Sequence, residues 1–268
     1  MNGFEGGRVI KKGYVTDILA DLALDFLRNT PDDKPFCLMF HNKAPHDMWD
    51  YDEKHALLFK DIEIPEPDTL FDDYSNRSNG IKRDKFFKIG MGDLVFPKQT
   101  GHLKGKARKK AQYQIFIKRF LRCAASVDDN LGRILDYLDE SGLAENTLVI
   151  YTSDQGYFLG EHGLWDKRYM YEESIRMPFL VRYPPLVKPG SVNKDIILNV
   201  DFAETFLDLA GVPIPPDMQG RSICPLLKGK KPPNWRTSMY YHYLELGGIP
   251  PHYGVRTDRY KLIYYYGL

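Results

Sequence analysis

TLVIYTS at residues 147–153, the loop DQGYFLGEHGLWDKR at 154–168, and MPFLVRYP at 177–184 decide how this chain is read. Short, continuous runs of apolar and β-branched residues mark strands covered on both faces. A strand that empties into a long polar loop marks the edge where an open α/β sheet keeps its ligands. FCLMFH at 36–41 has the same character and follows the polar turn PDDKP.

Helical periodicity flanks these runs. In 14–28, YVTDILADLALDFLR, the positions Val15, Ile18, Leu19, Leu22, Leu24, Phe26 and Leu27 fall largely at helical spacing, and the helix is expected to end near Asn29, ahead of Pro31. In 111–139 the apolar positions run from Ile115 and Phe116 to Leu135 and Leu138, giving a long helix stopped by Gly142. VDFAETFLDLAG at 200–211 is a shorter helix closing on glycine. Strands alternating with helices predict an α/β core with a mostly parallel sheet flanked by helices.

Residues 47–107 break the pattern with mixed charge, Pro and Gly, and end in the basic stretch KGKARKK at 104–110. They predict a long irregular excursion of the kind that shapes sites. The tail is aromatic: SMYYHYL at 238–244 and HYGVRTDRYKLIYYY at 252–266 predict a small antiparallel subdomain. The expected division is a core over 1–228 and the start of an antiparallel subdomain over 229–268.

Lys and Arg total 37 against 36 Asp and Glu, a net charge of +1, so there is no global field to draw nucleic acid or an anionic membrane. Nothing approaches the roughly 20 apolar residues that cross a bilayer. Cys37, Cys123 and Cys224 are odd in number and lack CxxC spacing, which argues against a disulfide framework or a zinc site and predicts buried free thiols.

Two loops carry chemistry. In HNKAPH (41–46) Lys43 offers a compact positive charge and His46 a proton donor or acceptor. The same residues would also suit a surface loop with a solvated lysine and a hydrogen-bonded histidine. In 153–168, Asp154 and Gln155 set two oxygen donors side by side, suited to a hard cation such as calcium, and three glycines let His162 and Lys167 curve back toward the strand end. The competing reading is a strand-ending turn in which Asp154 caps backbone amides. Near the tail, Tyr241, His242, His252 and Tyr253 either meet a sugar or pack the small sheet.

SDQGYFLGEHGLWDKRYMYEESIRMPFLVRYP, HNKAPH and HYGVRTDRYKLIYYY resemble three segments of the type I, formylglycine-dependent sulfatases of the alkaline-phosphatase-like superfamily. The resemblance covers essentially the whole chain and implies that family's downstream part, with a partial α/β sulfatase core and a C-terminal antiparallel subdomain. It implies hydrolysis of a sulfate ester, more specifically on a sulfated glycan, with one calcium ion (Ca2+) held in part by Asp154 and Gln155. Lys167 then resembles the sulfate-binding lysine, and His46 the histidine that contacts sulfate or assists the leaving oxygen. Lys43 and His162 match motif positions that orient loops or touch substrate; His242 and His252 are candidate sugar contacts. Neither nucleic acid nor a membrane is an expected partner, and the family suggests a periplasmic, secreted or lysosomal setting.

That family's nucleophile lies in a C-x-P-S-R motif, and none of FCLM, RCAA or ICPL around the three cysteines matches it. The nucleophile and the remaining calcium ligands are therefore expected upstream of Met1, and the chain alone is not expected to turn over. The alternatives are a phosphodiesterase or phosphonate hydrolase of the same superfamily, and a non-catalytic remnant that binds sulfated sugar.

Overall fold

The computed structural model describes residues 10–31, 33–84, 87–90, 97–245 and 248–267. Its helices are α1 (Val15–Arg28), α2 (Asn79–Lys82), α3 (Pro97–Thr100), α4 (Gly105–Glu140), α5 (Glu172–Ile175), α6 (Asp201–Leu209) and α7 (Cys224–Leu227). Its strands are β1 (Val149–Thr152), β2 (Phe158–Leu159), β3 (Trp165–Asp166), β4 (Phe179–Arg182), β5 (Ser238–Tyr243), β6 (His252–Thr257) and β7 (Lys261–Tyr265). The chain divides into two compact units, 1–65 with 110–143, and 66–109 with 144–268. The excursion at 47–107 is shared between them, 47–65 in the first and 66–107 in the second.

In the first unit α1 buries Thr16, Ala20, Ala23, Leu24 and Leu27, one stripe at spacings of three and four residues. It ends at Asn29, as the following Thr-Pro dictates. The buried stripe of α4 runs from Gln112 through Phe116, Cys123 and Val127 to Leu138. Asn130 Nδ2 donates to Asp17 Oδ1 at 2.6 Å and Arg133 Nη2 to Asp21 Oδ1 at 2.5 Å, tying the two helices along their polar flanks. Trp49 meets Phe116 edge-on at 4.8 Å, which anchors the loop following HNKAPH. α4 starts at Gly105, so the basic stretch forms its first turns, and Gly142 beyond its end has φ +75°.

The expected strand FCLMFH forms no ladder among the described residues. Phe36, Leu38 and Phe40 are half-buried while Cys37, Met39 and His41 are exposed, so one side of an extended run stays uncovered. Cys37 is exposed for that reason, against expectation, whereas Cys123 and Cys224 are buried free thiols. Burial pushes the Cys123 thiol up to about 11.

In the second unit β1 pairs with β4 antiparallel, Val149 opposite Arg182 and Thr152 opposite Phe179. All ladders among the described residues are antiparallel, a direction that the alternation of strands and helices does not give for β1 and β4. A parallel neighbour needs a crossover, usually through a helix. The connection from β1 to β4 holds the hairpin β2–β3, with a 3-10 turn at Glu161–Gly163, and the one-turn helix α5, none of them long enough for a crossover, so the chain returns reversed.

A cluster of Tyr74, Ile81, Phe158, Leu164, Tyr169 and Ile249 forms beneath that hairpin. Each such side chain contributes about 2 kcal/mol of apolar burial. A second cluster of Ile223, Leu226 and Trp235 packs against Phe179 of β4. The aromatic tail forms the antiparallel sheet β5–β6–β7, with the run 252–266 folded into two strands. No helix among the described residues is long and apolar enough to cross a membrane.

Candidate functional site

The site loop of the second unit leaves β1 at Ser153, whose hydroxyl lies 3.2 Å from Asp154 Oδ1. The Gly156 N–H donates to the Ser174 carbonyl at 2.8 Å, and the Arg168 N–H to Ser174 Oγ at 2.8 Å. One residue of α5 thus holds both ends of the loop. A Cβ on Gly156 would strike the carbonyls of Glu173 and Arg176, so only glycine allows this close approach.

At the loop's tip, Gly163 has φ +65°, and a Cβ there would lie 2.7 Å from the Leu70 carbonyl oxygen. His162 also adopts a left-handed conformation, φ +54°. Its strain is offset by contacts on all sides: the His162 N–H donates to Thr69 Oγ1 at 2.9 Å, its carbonyl accepts from the Tyr74 hydroxyl, and its Nδ1 pairs with Asp72 Oδ2 at 2.9 Å. Its Nε2 faces Glu173 Oε1 at 4.0 Å, and its ring meets Tyr171 edge-on at 5.0 Å. Burial pulls the Asp72 carboxyl up, but hydrogen bonds from His162 and the Tyr74 N–H, with Arg77 nearby, outweigh it and hold Asp72 below the usual carboxylate range. His162 is thus a ring held by a carboxylate, an arrangement suited to presenting Nε2 in a fixed direction.

Lys167 is buried beside Asp166, Nζ to Oδ1 3.0 Å, with its ammonium 5.7 Å from the Tyr157 ring centre. Asp166 also pairs with Arg168, so one buried carboxylate serves two cations. Asp154 is exposed and Gln155 half-buried. The two supply two oxygen donors, whereas calcium takes six to eight. Among the described residues no group of three or more His, Cys, Asp or Glu is placed to hold a metal ion. The described residues therefore do not complete a calcium site.

Lys43 and His46 belong to the first unit. Lys43 Nζ lies 2.8 Å from His46 Nδ1, and the same ring nitrogen also meets the Asp47 carboxylate. One nitrogen cannot accept from the ammonium and donate to the carboxylate at once, so the tautomer of His46 decides which partner it takes.

His252, expected to meet a sugar, is fully buried: its ring lies 4.9 Å from Tyr265, 5.4 Å from Tyr243 and 6.1 Å from Tyr169, and its Nδ1 is 2.9 Å from the Pro250 carbonyl. The structure gives it a packing role, because β6 turns it to the inner face of the small sheet. His242 is exposed on β5, its Nε2 2.8 Å from the Tyr266 hydroxyl.

Asp72, Asp166, Glu173 and Ser174 are the contact partners of these side chains that the sequence reading does not single out. Asp166 stands beside Lys167, and Glu173 and Ser174 lie in the quoted YEES. Asp72 comes from the irregular excursion, and no spacing signals it.

The sulfatase sequence profile matches residues 2–212, and that of the C-terminal part of N-sulphoglucosamine sulphohydrolase matches 160–268. An N-acetylglucosamine-6-O-sulfatase of Bacteroides thetaiotaomicron is 40% identical over 309 residues, covering 98% of this chain and 55% of that protein. The Homo sapiens N-acetylglucosamine-6-sulfatase is 31% identical over 232 residues, 86% of this chain and 39% of that protein. A solved structure of a protein in complex with its substrate D-glucosamine-2-N,6-O-disulfate superposes with a TM-score of 0.92 at 40% identity, covering 98% of this chain and 63% of that one. The chain spans about half the length of the curated relatives it matches, or less. With a family profile covering most of its residues, this chain belongs to the sulfatase family.

Proposed function

We propose that this chain is the downstream part of a sulfuric ester hydrolase whose substrate is a sulfated glycan, specifically a glucosamine unit carrying a 6-O-sulfate. The observation that carries this reading is the similarity to N-acetylglucosamine-6-O-sulfatase over 98% of the chain. The buried Lys167 and the carboxylate-held His162 support it, since both are preorganised to meet an oxyanion. In this reading Lys167 binds a sulfate oxygen, and His46 contacts sulfate or protonates the departing sugar oxygen. Lys43 orients its loop, His162 presents its Nε2 toward the sulfate with Nδ1 held by Asp72, and His242 is the histidine of the small sheet left to meet the sugar. Asp154 and Gln155 supply two oxygens toward calcium, which when bound would stabilise charge on the sulfate.

The test is release of sulfate from N-acetylglucosamine-6-sulfate by the 268-residue chain and by a form extended through the gene upstream of Met1, with a phosphonate monoester as the rival substrate. Turnover of the sulfate ester by the extended form alone is expected. Turnover by the short chain would place a nucleophile within residues 1–268, and preference for the phosphonate would replace sulfatase by phosphonate hydrolase. Calcium-independent binding of the sulfated sugar with no turnover in either form would leave a non-catalytic binder.

A further inference from the structure

The first unit holds a cleft of about 250 Å³ lined by Tyr51, Gln114, Ile115, Lys118, Arg119 and Arg122, none of which the proposed chemistry uses. Lys118, Arg119 and Arg122 lie on consecutive turns of α4 and bring three positive charges to one opening. Asp50 reaches Arg119, 3.0 Å from Nη2, with its own side chain 84% exposed. Among the described residues Lys118 has no ion-pair partner. Cations gathered on one helix face repel, so the arrangement carries an unfavourable term that a bound anion removes.

The walls are fixed rather than loose. Arg119 Nε donates to the Trp49 carbonyl at 3.1 Å, and Arg122 Nε to the Leu58 carbonyl at 2.9 Å. Both guanidinium groups lie against the Tyr51 ring, 5.5 and 4.8 Å from its centre. Gln114 is locked by two bonds to the Ile64 backbone, 3.0 and 2.7 Å. Anchoring through Nε orients the guanidinium forks, which suit the paired oxygens of a sulfate or carboxylate.

The volume lies below the roughly 300 Å³ of the smallest drug-sized pockets, so it suits one anionic group of a sugar rather than a stretch of polymer. Tyr51 is five residues beyond His46 on the same loop, a reach of at most roughly 18 Å along the chain. We propose that this cleft is a subsite for a second anionic group, sulfate or carboxylate, on a sugar unit neighbouring the one whose ester is cleaved. The proposal rests on the sulfated-glycan reading above and adds that the ligand is an oligosaccharide with more than one anionic group.

The experiment is calorimetric binding of the 268-residue chain to an N- and 6-O-sulfated glucosamine–uronate tetrasaccharide and, separately, to D-glucosamine-2-N,6-O-disulfate. The parent is expected to bind the tetrasaccharide more tightly. The double variant Lys118→Gln/Arg122→Gln should lose roughly 10- to 100-fold on the tetrasaccharide, the span of lost charge-assisted hydrogen bonds, and little on the monosaccharide. Lys118→Gln alone, which breaks no ion pair, should lose less while melting as the parent does; it carries the test if the double variant unfolds. Tetrasaccharide affinity unchanged in the variants overturns the proposal. So does equal binding of an unsulfated tetrasaccharide or of a ribo-oligonucleotide, and full competition by equimolar inorganic sulfate would reduce the cleft to a bare anion site. Because binding is read without turnover, tetrasaccharide binding here together with no sulfate release by the extended form refutes the proposed function and not this subsite.

Discussion

His162 Nδ1 lies 2.9 Å from Asp72 Oδ2, although 90 positions separate the two residues, and both side chains are only 13% exposed. The pair fixes the ring of the loop-tip histidine and gives the irregular excursion a defined end point. Asp72→Asn replaces the carboxylate by an amide and should lower stability by about 1.5–3 kcal/mol, the worth of a hydrogen bond to a charged group. Urea midpoints of the two proteins at pH 7 measure this. The acid limb gives a second readout. The folded Asp72 carboxyl sits below its unfolded value, so its stabilisation is present above about pH 3.9 and is lost as pH falls through the folded value. Asp72→Asn should therefore lose less stability than the parent between pH 5 and 3, and parallel losses would remove Asp72 from the acid response.

The helices were legible because their apolar spacing is local: α1 stops at Asn29 and α4 runs to Glu140 just ahead of Gly142. The small sheet was legible from the alternation in SMYYHY and KLIYY. Strand direction was not, because VIYT and FLVR look the same whether paired parallel or antiparallel, and the decision lay in the absence of a crossover helix between them. The burial of His252 was not legible for a related reason: a period-2 pattern shows that two faces exist but not which one is covered. The loop that carries Lys167 and His162 was legible from its glycines and polar residues, while the contact with Asp72 was not, because the sequence separation of a contact carries no local signature.

Gly156→Ala tests the close approach at the start of the site loop. A methyl group there collides with the carbonyls of Glu173 and Arg176, which are backbone and cannot rotate away. Overpacking of this kind costs about 1–3 kcal/mol. It should also displace Asp154 and Gln155, so thermal melting should fall while the far-UV spectrum holds. Wild-type melting of the alanine variant would mean that the loop stands further from α5 than 2.8 Å hydrogen bonding of Gly156 to Ser174 implies.

Asp201, at the start of α6, is fully buried and answers to four donors: the N–H groups of Leu198 and Arg221 and both terminal nitrogens of Arg236. Arg236→Ala leaves that carboxylate in the core without its cation, and removing one member of a buried pair costs about 3–5 kcal/mol. The double variant Asp201→Asn/Arg236→Leu should recover much of the loss, because the uncompensated charge is gone. Denaturant melts of the three proteins decide this, and a double variant no better than Arg236→Ala would show that the geometry of the pair matters more than its charge.

His252 supplies a pH dependence at milder values. Burial among the tyrosine rings pushes its imidazole below the usual value, against the pull of the Pro250 carbonyl. The folded protein therefore resists protonation that the unfolded chain accepts at about 6.5, and stability present above that value is lost as pH falls through the folded value. His252→Phe keeps an aromatic ring in the cage and removes the proton. It forfeits the bond to Pro250, about 1 kcal/mol at neutral pH, yet should flatten the fall in melting temperature between pH 7.5 and 5. An unchanged slope would assign that fall to other groups. A steeper one would mean the imidazole is charged in the folded sheet, reopening the case for His252 as an anion contact.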